Sequence, residues 1–282
     1  MIKSKVVIVF PKRDQAASSM WDVIKESSLF KRLDYEQEIY AYTRFSNDIK
    51  AIHVDNDGVN ISNLEEIINT DLFIFASRHS AESGFPALLI HTPGNWGEAR
   101  LGGNSYELAY SSALAIKIGL KNLRFFKDDL KLEEYRVGIE VTHHGPTNMS
   151  TPLCFMELGS SEKYWTDKRG AEGVAKAIIK TAEEYLKAKS RENGESVYVG
   201  FGGNHYAYRF EKKLYSEESI LIGHIAPKYV LDHINYEIVK QAFEKTIENP
   251  FAAMVDKKGT RSEHRKKIRE FIDKLGKEYL EV

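Results

Sequence analysis

Cysteine is almost missing from this chain. Cys154 is the only one among 282 residues, which excludes an internal disulfide and a cysteine-ligated metal cluster and points to a cytoplasmic protein. Long apolar runs are missing too: none approaches the ~20 residues needed to cross a bilayer. The opening MIKSKVVIVFPKRD has a short apolar run followed by charges, which reads as a first strand, not a signal peptide. Neither sign of charge dominates. Forty basic residues against forty-one acidic leave a net charge of −1, so any contact with nucleic acid has to come from a local patch. No glycine-rich phosphate fingerprint follows the first apolar run, which excludes a dinucleotide-binding start. No internal repeat, low-complexity tract or clear linker divides the chain. With 42% hydrophobic residues there is material for a sizeable core, and the expectation is one domain over residues 1–282, with at most a small subdomain.

Five apolar, strand-like runs that end in histidine are the main feature present. They are DLFIFASRH (71–79), ALLIH (87–91), YRVGIEVTHH (135–144), VYVGFGGNH (197–205) and SILIGH (219–224). Five of the nine histidines close such a run, with His143 also in the third. Ligands in α/β sheets bind beyond the carboxyl ends of the strands. If these strands are mostly parallel, the histidines gather along one edge. Gly94, Gly145, Gly202-Gly203 and Gly223 lie beside most of these ends and would let a ligand or metal approach the backbone closely. The third run carries most of the chemistry. Glu140 and Thr142 share one face of an extended strand and His143 lies on the other, so His143 and His144 share a site only if the chain has begun to turn. Gly145-Pro146 then stops the strand. A carboxylate beside two imidazoles suits metal binding or acid–base work near neutral pH. The bland alternative is a solvated loop with two incidental histidines.

Helices fill the intervals. Lys5–Phe10 reads as a strand buried on both faces, followed by a helix through Trp21 to Ile24 capped at Ser18 or Ser19. IYAYTRF (39–45) and IKAIHVDND (49–57) are strand-like, the second ending in a turn signal at Asp57-Gly58. A crossover helix is expected over 106–120, capped by Asn104 or Ser105. An amphipathic helix is expected over 171–189 and a polar loop over 190–196. A further helix runs from Pro227 to Asn249. The tail from Asp256 is locally basic, with Thr260 and Glu263 at capping-box spacing and Ile268, Phe271, Ile272 and Leu275 as a buried stripe. Such a helix is usually a solvated charged face; beside a site for an RNA end it would offer phosphate contacts.

Three ordered motifs carry a resemblance: HTPGNW (91–96), EVTHHGPT (140–147) and GFGGNHYA (200–207), supported by Ser77-Arg78-His79 and Gly223-His224-Ile225. Together they resemble the archaeal and plant class of D-aminoacyl-tRNA deacylases, over essentially the whole chain. The resemblance implies a zinc-dependent esterase that removes D-amino acids, such as D-tyrosine, from D-aminoacyl-tRNA. It also implies a three-layer αβα fold with a mixed, mostly parallel sheet, similar to phosphorylases and peptidyl-tRNA hydrolases. On this reading one or two Zn2+ ions take imidazole and carboxylate ligands. His91, His143 and His205 are the candidate metal ligands, and Glu140, His144 and Asn204 the candidate catalytic residues. Glu140 either holds a ligand or acts as general base, and His144 can exchange roles with His143. Asn204, Asn95 and amides near Gly202-Gly203 are candidates for holding an oxyanion. His79 and His224 are expected to be buried histidines with satisfied hydrogen bonds. Trp96 or Tyr206 would stack on the terminal adenine, and Lys258, Arg261, Arg265 and Lys266 would meet RNA phosphates. No feature calls for a membrane or an obligatory protein partner. Two other readings use the same residues: a metal-dependent hydrolase of small acyl or peptide substrates, and a non-catalytic RNA-binding module.

Overall fold

The computed structural model describes residues 1–34, 39–43, 48–61, 63–189 and 194–282. Strands and helices alternate along it. β1 (Ile2–Lys3), β2 (Val6–Pro11), α1 (Gln15–Glu26), β3 (Phe30–Asp34), β4 (Ile39–Tyr42) and β5 (Ile49–Val54) come first. Then come α2 (Leu64–Ile67), β6 (Ile68–Asn69), β7 (Leu72–Ser80), β8 (Ala87–His91), β9 (Gly94–Asn95) and β10 (Glu107–Leu108). They are followed by α3 (Ala113–Asp129), β11 (Arg136–Ile139), β12 (Leu153–Ser160), α4 (Glu162–Trp165) and α5 (Lys168–Lys189). The last part holds β13 (Ser196–Phe201), α6 (Tyr208–Ser216), β14 (Ile220–Ala226), α7 (Tyr236–Glu244), β15 (Ala252–Val255), α8 (Ser262–Lys274) and β16 (Glu278–Glu281).

Two sheets organise these elements. The larger has eight strands in the order β11-β8-β12-β7-β2-β5-β4-β3, and the smaller has four in the order β14-β13-β15-β16. β12, β7, β2 and β5 run parallel, whereas β8 and β11, parallel to each other, run against β12. The smaller sheet is parallel throughout. The expected mixed, mostly parallel α/β fold is present. β2, β7 and β12 are continuous apolar runs because both their faces are covered. α1, α3 and α5 pack on one face in an apolar cluster that continues into the smaller sheet through Ile222, Ile225 and Met254. A second cluster covers the opposite face with Ile61, Leu64 and Met149. α7 and α8 close the far side of the smaller sheet through Ile238, Phe243, Ile268 and Ile272.

Several helix starts differ from expectation; at α1, α3 and α7 another side chain satisfies a first-turn amide. Asp14, not Ser18 or Ser19, caps α1 and accepts from Ala17 N at 2.9 Å. Its other oxygen accepts from Arg78 N, also at 2.9 Å, so the cap also ties α1 to the end of β7. α3 begins at Ala113 under a Ser112 cap, not near Asn104, because Glu107 and Leu108 pair with β9. α7 occupies only part of the span from 227 to 249, starting after an Asn235 cap. The Thr260 hydroxyl donates to Asp256 O, so the N-cap of α8 is Arg261 instead. Of the expected α8 stripe, Ile268 and Ile272 are buried while Phe271 and Leu275 are half-buried. Arg44 and Phe45, and residues 190–193 of the polar loop, lie outside the described residues.

Gly145, beside His144, is packed against other parts of the chain. A Cβ there would lie 2.3 Å from Gly103 N, 2.5 Å from Gly102 C and 2.7 Å from Val59 O. The space is taken by another stretch of backbone, not by a ligand. Gly94 and Gly223 are packed likewise, against Leu108 and Thr142 and against Thr246. Gly145→Ala should therefore destabilise the protein by about 1–3 kcal/mol or more through overpacking against rigid backbone. A urea unfolding midpoint equal to that of the unaltered protein would contradict this packing.

Candidate active site

The site is built on β12, the strand on which the larger sheet changes direction. Glu157 pairs with Ser77 of β7 on one side and Leu89 of β8 on the other. His79 stands opposite Gly159, and His91 opposite Phe155. Side chains two apart on a strand share a face, so His79 and His91 flank Glu157 on one face of the sheet. Phe155 lies under His91, with ring centroids 5.5 Å apart and nearly parallel planes. The histidines therefore do not line a common carboxyl edge as expected. Because β8 runs against β7, they approach Glu157 from opposite directions.

The third group comes from the residues after β11. Glu140 N still bonds Ile90 O of β8, but the next donors leave the sheet: Val141 N goes to His205 O and Thr142 N to Ile225 O. This segment bridges the larger sheet to the ends of β13 and β14. Strand alternation is lost here, and His144 takes a positive φ of 47°. His143 and His144 consequently face the same site, with ring centroids 4.6 Å apart and 4.2 and 4.7 Å from His91. The loop after β13 adds His205, 4.6 Å from His143 between centroids.

Two buried carboxylates organise these rings. Glu157 lies 3.4 Å from His91 Nε2, 3.4 Å from His79 Nδ1 and 3.8 Å from His144 Nε2. Glu140 lies 2.7 Å from His205 Nε2 and 3.3 Å from His79 Nδ1. Burial acts to raise both carboxyl pKa values, but the surrounding imidazoles outweigh it and hold both groups ionised, well below the usual carboxylate range. Burial likewise acts to lower the pKa of His79, yet Glu140 and Glu157 push it up to about 11. His91 is raised by Glu157 against the same penalty. His143 is driven far down by burial and by its imidazole neighbours, so it is neutral at pH 7.

Hydrogen bonding fixes where the lone pairs point. His143 Nδ1 lies 2.8 Å from Val141 O and His144 Nδ1 2.6 Å from Gly145 O. A carbonyl can only accept, so both Nδ1 atoms carry the proton in the neutral rings, leaving Nε2 as the free base. Neither oxygen of Glu140 has a hydrogen bond, despite the 2.7 Å approach of His205, and His91 Nδ1 is buried without a partner. Three overlapping sets place one ligand atom per residue within 4.8 Å of one another: His91-His143-His144, Glu140-His143-His205 and His79-Glu140-Glu157. The donor types suit Zn2+.

The remaining candidates fall into three groups. Asn204 is exposed next to His205. Asn95 is buried, with its amide donating to Gly102 O and Asn104 O, so it holds the loop. His224 is buried, 3.2 Å from the Thr142 hydroxyl, and burial lowers its pKa to about 3. Trp96 is 3% exposed and its indole N–H donates to Ile225 O, so it forms a wall of a groove and offers no free stacking face. Lys258 and Arg261 line a neighbouring groove. Lys266 is exposed, while Arg265 donates to Lys257 O and Thr260 O within its own loop. Sequence reasoning missed Glu157 altogether and undervalued His79. A single glutamate inside the apolar run LCFMEL was the available signal.

Together these features define an α/β enzyme with a buried carboxylate–imidazole centre at the junction of two sheets. The chain belongs to the D-aminoacyl-tRNA deacylase family, whose model matches residues 66–280. It is 37% identical over 286 residues to the D-aminoacyl-tRNA deacylase of Methanosarcina mazei, covering 97% of this chain and 91% of that one. It is 31% identical to that of Thermococcus onnurineus, covering 97% and 98%. A crystal structure of a conserved protein of unknown function superposes with a TM-score of 0.86 at 28% identity, covering 99% of this chain and 95% of that one.

Glu157→Gln removes the charge that opposes burial at His91. The His91 imidazole should then titrate below its ordinary value of 6.5, where NMR titration of the intact protein should find it raised. An unchanged His91 titration would show that Glu157 does not set its protonation.

Proposed function

We propose that this chain hydrolyses the ester bond of D-aminoacyl-tRNA, releasing free D-amino acid and tRNA, at a zinc centre held by the histidine and glutamate cluster. The observation that carries this is the buried Glu140, one oxygen of which lies within 4.8 Å of a ring nitrogen of both His143 and His205. His91, His143 and His144 form one donor set, and Glu140 with His143 and His205 a second; His143 has one free lone pair, so these two are alternatives, and a second ion would need the set of His79, Glu140 and Glu157. Bound Zn2+ would lower the pKa of a water and polarise the ester carbonyl. No helix among the described residues is long and apolar enough to cross a membrane, and a tRNA substrate fits a cytoplasmic location.

The chain's own residues supply the rest. A groove of about 590 Å³ opens on His143 and His144 and has Trp96, Leu101 and Tyr106 along its walls. Its size and apolar walls suit an amino-acid side chain. Glu140 remains ionised under all ordinary conditions, so it serves through charge and is a poor proton acceptor. With the ion on Glu140, His143 and His205, His144, whose Nδ1–H is fixed on Gly145 O, keeps Nε2 available for the proton of the attacking water. It returns that proton to the ribose oxygen as the carbonyl carbon–oxygen bond breaks. Asn204, exposed beside His205, supports donation from its amide to the developing oxyanion. His79 bridges the two carboxylates from behind, and its Nε2 lies 3.1 Å from the Tyr206 hydroxyl.

Tyrosine release from D-tyrosyl-tRNA, with little from the L-ester, is the expected activity, lost with a chelator and restored by Zn2+. His143→Ala and Glu140→Gln should each lower turnover about 100-fold or more. Full turnover in both variants would overturn the proposal. Zinc must also displace protons held by the raised imidazoles, so its affinity should weaken from pH 8 to pH 6 in competition with a chelating dye. Equal affinity at the two pH values would exclude protonated imidazoles from the ligand set.

A further inference from the structure

A second groove, of about 670 Å³, lies on the other side of Tyr229. Tyr229 lines both grooves, and its hydroxyl is 3.5 Å from His205 Nδ1. The second groove therefore adjoins the reacting centre and shares Asn204 with it. Four cations face it: Arg209, Lys228, Lys258 and Arg261. Two are neutralised locally, Arg209 Nε at 3.6 Å from Asp256 and Arg261 in contact with Asp232. Lys228 and Lys258, both exposed, have no ion-pair partner among the described residues.

The loop that carries Lys258 is preformed. Asp256 accepts from Lys258 N at 3.1 Å and from Gly259 N at 3.0 Å, and the Thr260 hydroxyl donates to Asp256 O at 2.8 Å. A Cβ at Gly259 would meet Gly203 N at 2.5 Å, so this loop lies directly on the backbone that leads to His205. Lys228 is anchored to the same backbone by its N–H, which donates to Gly203 O at 2.9 Å. The backbones of two lysines without ion-pair partners are thus anchored to one glycine segment, beside the centre and away from the apolar groove. Such a pair suits an anion that extends from the reacting ester.

We propose that this groove holds phosphodiesters at the 3′ end of the acceptor strand, through Lys228 and Lys258. The terminal ribose ester then lies at Tyr229 and the amino acid enters the other groove. This assignment rests on the deacylase reading for its substrate, but its test does not depend on turnover.

The test is binding of uncharged tRNA over a series of salt concentrations by the full-length protein and the Lys228→Gln/Lys258→Gln double variant. Both lysines are exposed, and circular dichroism checks that the variant is folded. A single-strand phosphate contact contributes about 0.7 to the slope of log K against log salt. The double variant should therefore bind more weakly with a slope shallower by about 1.4. A tRNA trimmed of its last three nucleotides should bind the unaltered protein as weakly as intact tRNA binds the variant. An unchanged slope, or equal binding of trimmed and intact tRNA, would overturn the assignment. Displacement of intact and trimmed tRNA alike by millimolar inorganic phosphate would assign the groove to a small free anion and would overturn it too. If tRNA binds as expected but D-tyrosyl-tRNA is not cleaved, the hydrolytic reading fails and the groove assignment stands.

Discussion

Two ionised carboxylates buried on one face of a sheet are the constraint around which this structure is arranged. An isolated buried carboxylate is too costly to keep, and it persists only when charges and donors surround it. Glu140 and Glu157 are surrounded by His79, His91, His144 and His205, each from a different strand end or loop. Removing Glu157 would leave His91 buried without its carboxylate partner. The same balance makes the cluster receptive to a metal cation, which can replace the protons that offset the negative charge.

Topology makes this possible. Reversal of β8 and β11 against β12 brings His91 and His79 to Glu157 from opposite ends of the sheet. The backbone of 140–142 then transfers its hydrogen bonds from the larger sheet to the smaller one. That transfer breaks strand alternation and lets His143 and His144 share a site, which regular extended geometry forbids. It also joins the two sheets at the point where the grooves open. Glycine backbones packed against backbone at Gly145 and at Gly259 secure the same junction.

Much of this could be read from the residues. His91, His143, His144 and His205 announced themselves by closing apolar runs, and the strands preceding them lie close to where periodicity put them. Glu140 was visible as a charge at the mouth of a strand. Glu157 was hidden because it interrupts a run whose neighbours are buried, and no local pattern reveals what faces it from β7 and β8. His79 looked like an ordinary buried histidine for the same reason: its partners are 61 and 78 residues away in sequence. Helix starts were misplaced where a cap came from an acidic or distant residue, as at Asp14, or where a short strand pair intervened, as at Glu107 and Leu108. Trp96 shows the general limit, since a groove wall and a stacking platform have the same sequence signature.

X-ray absorption of the protein after equilibration with zinc and dialysis tests the metal centre most directly. About one or two zinc ions should be retained per chain, coordinated only by nitrogen and oxygen near 2.0–2.2 Å with imidazole scattering. Loss of the imidazole signal in His91→Ala/His143→Ala would confirm the ligand source. Failure to retain zinc, or a sulfur ligand in the spectrum, would contradict the claim that these carboxylates and histidines form a metal centre.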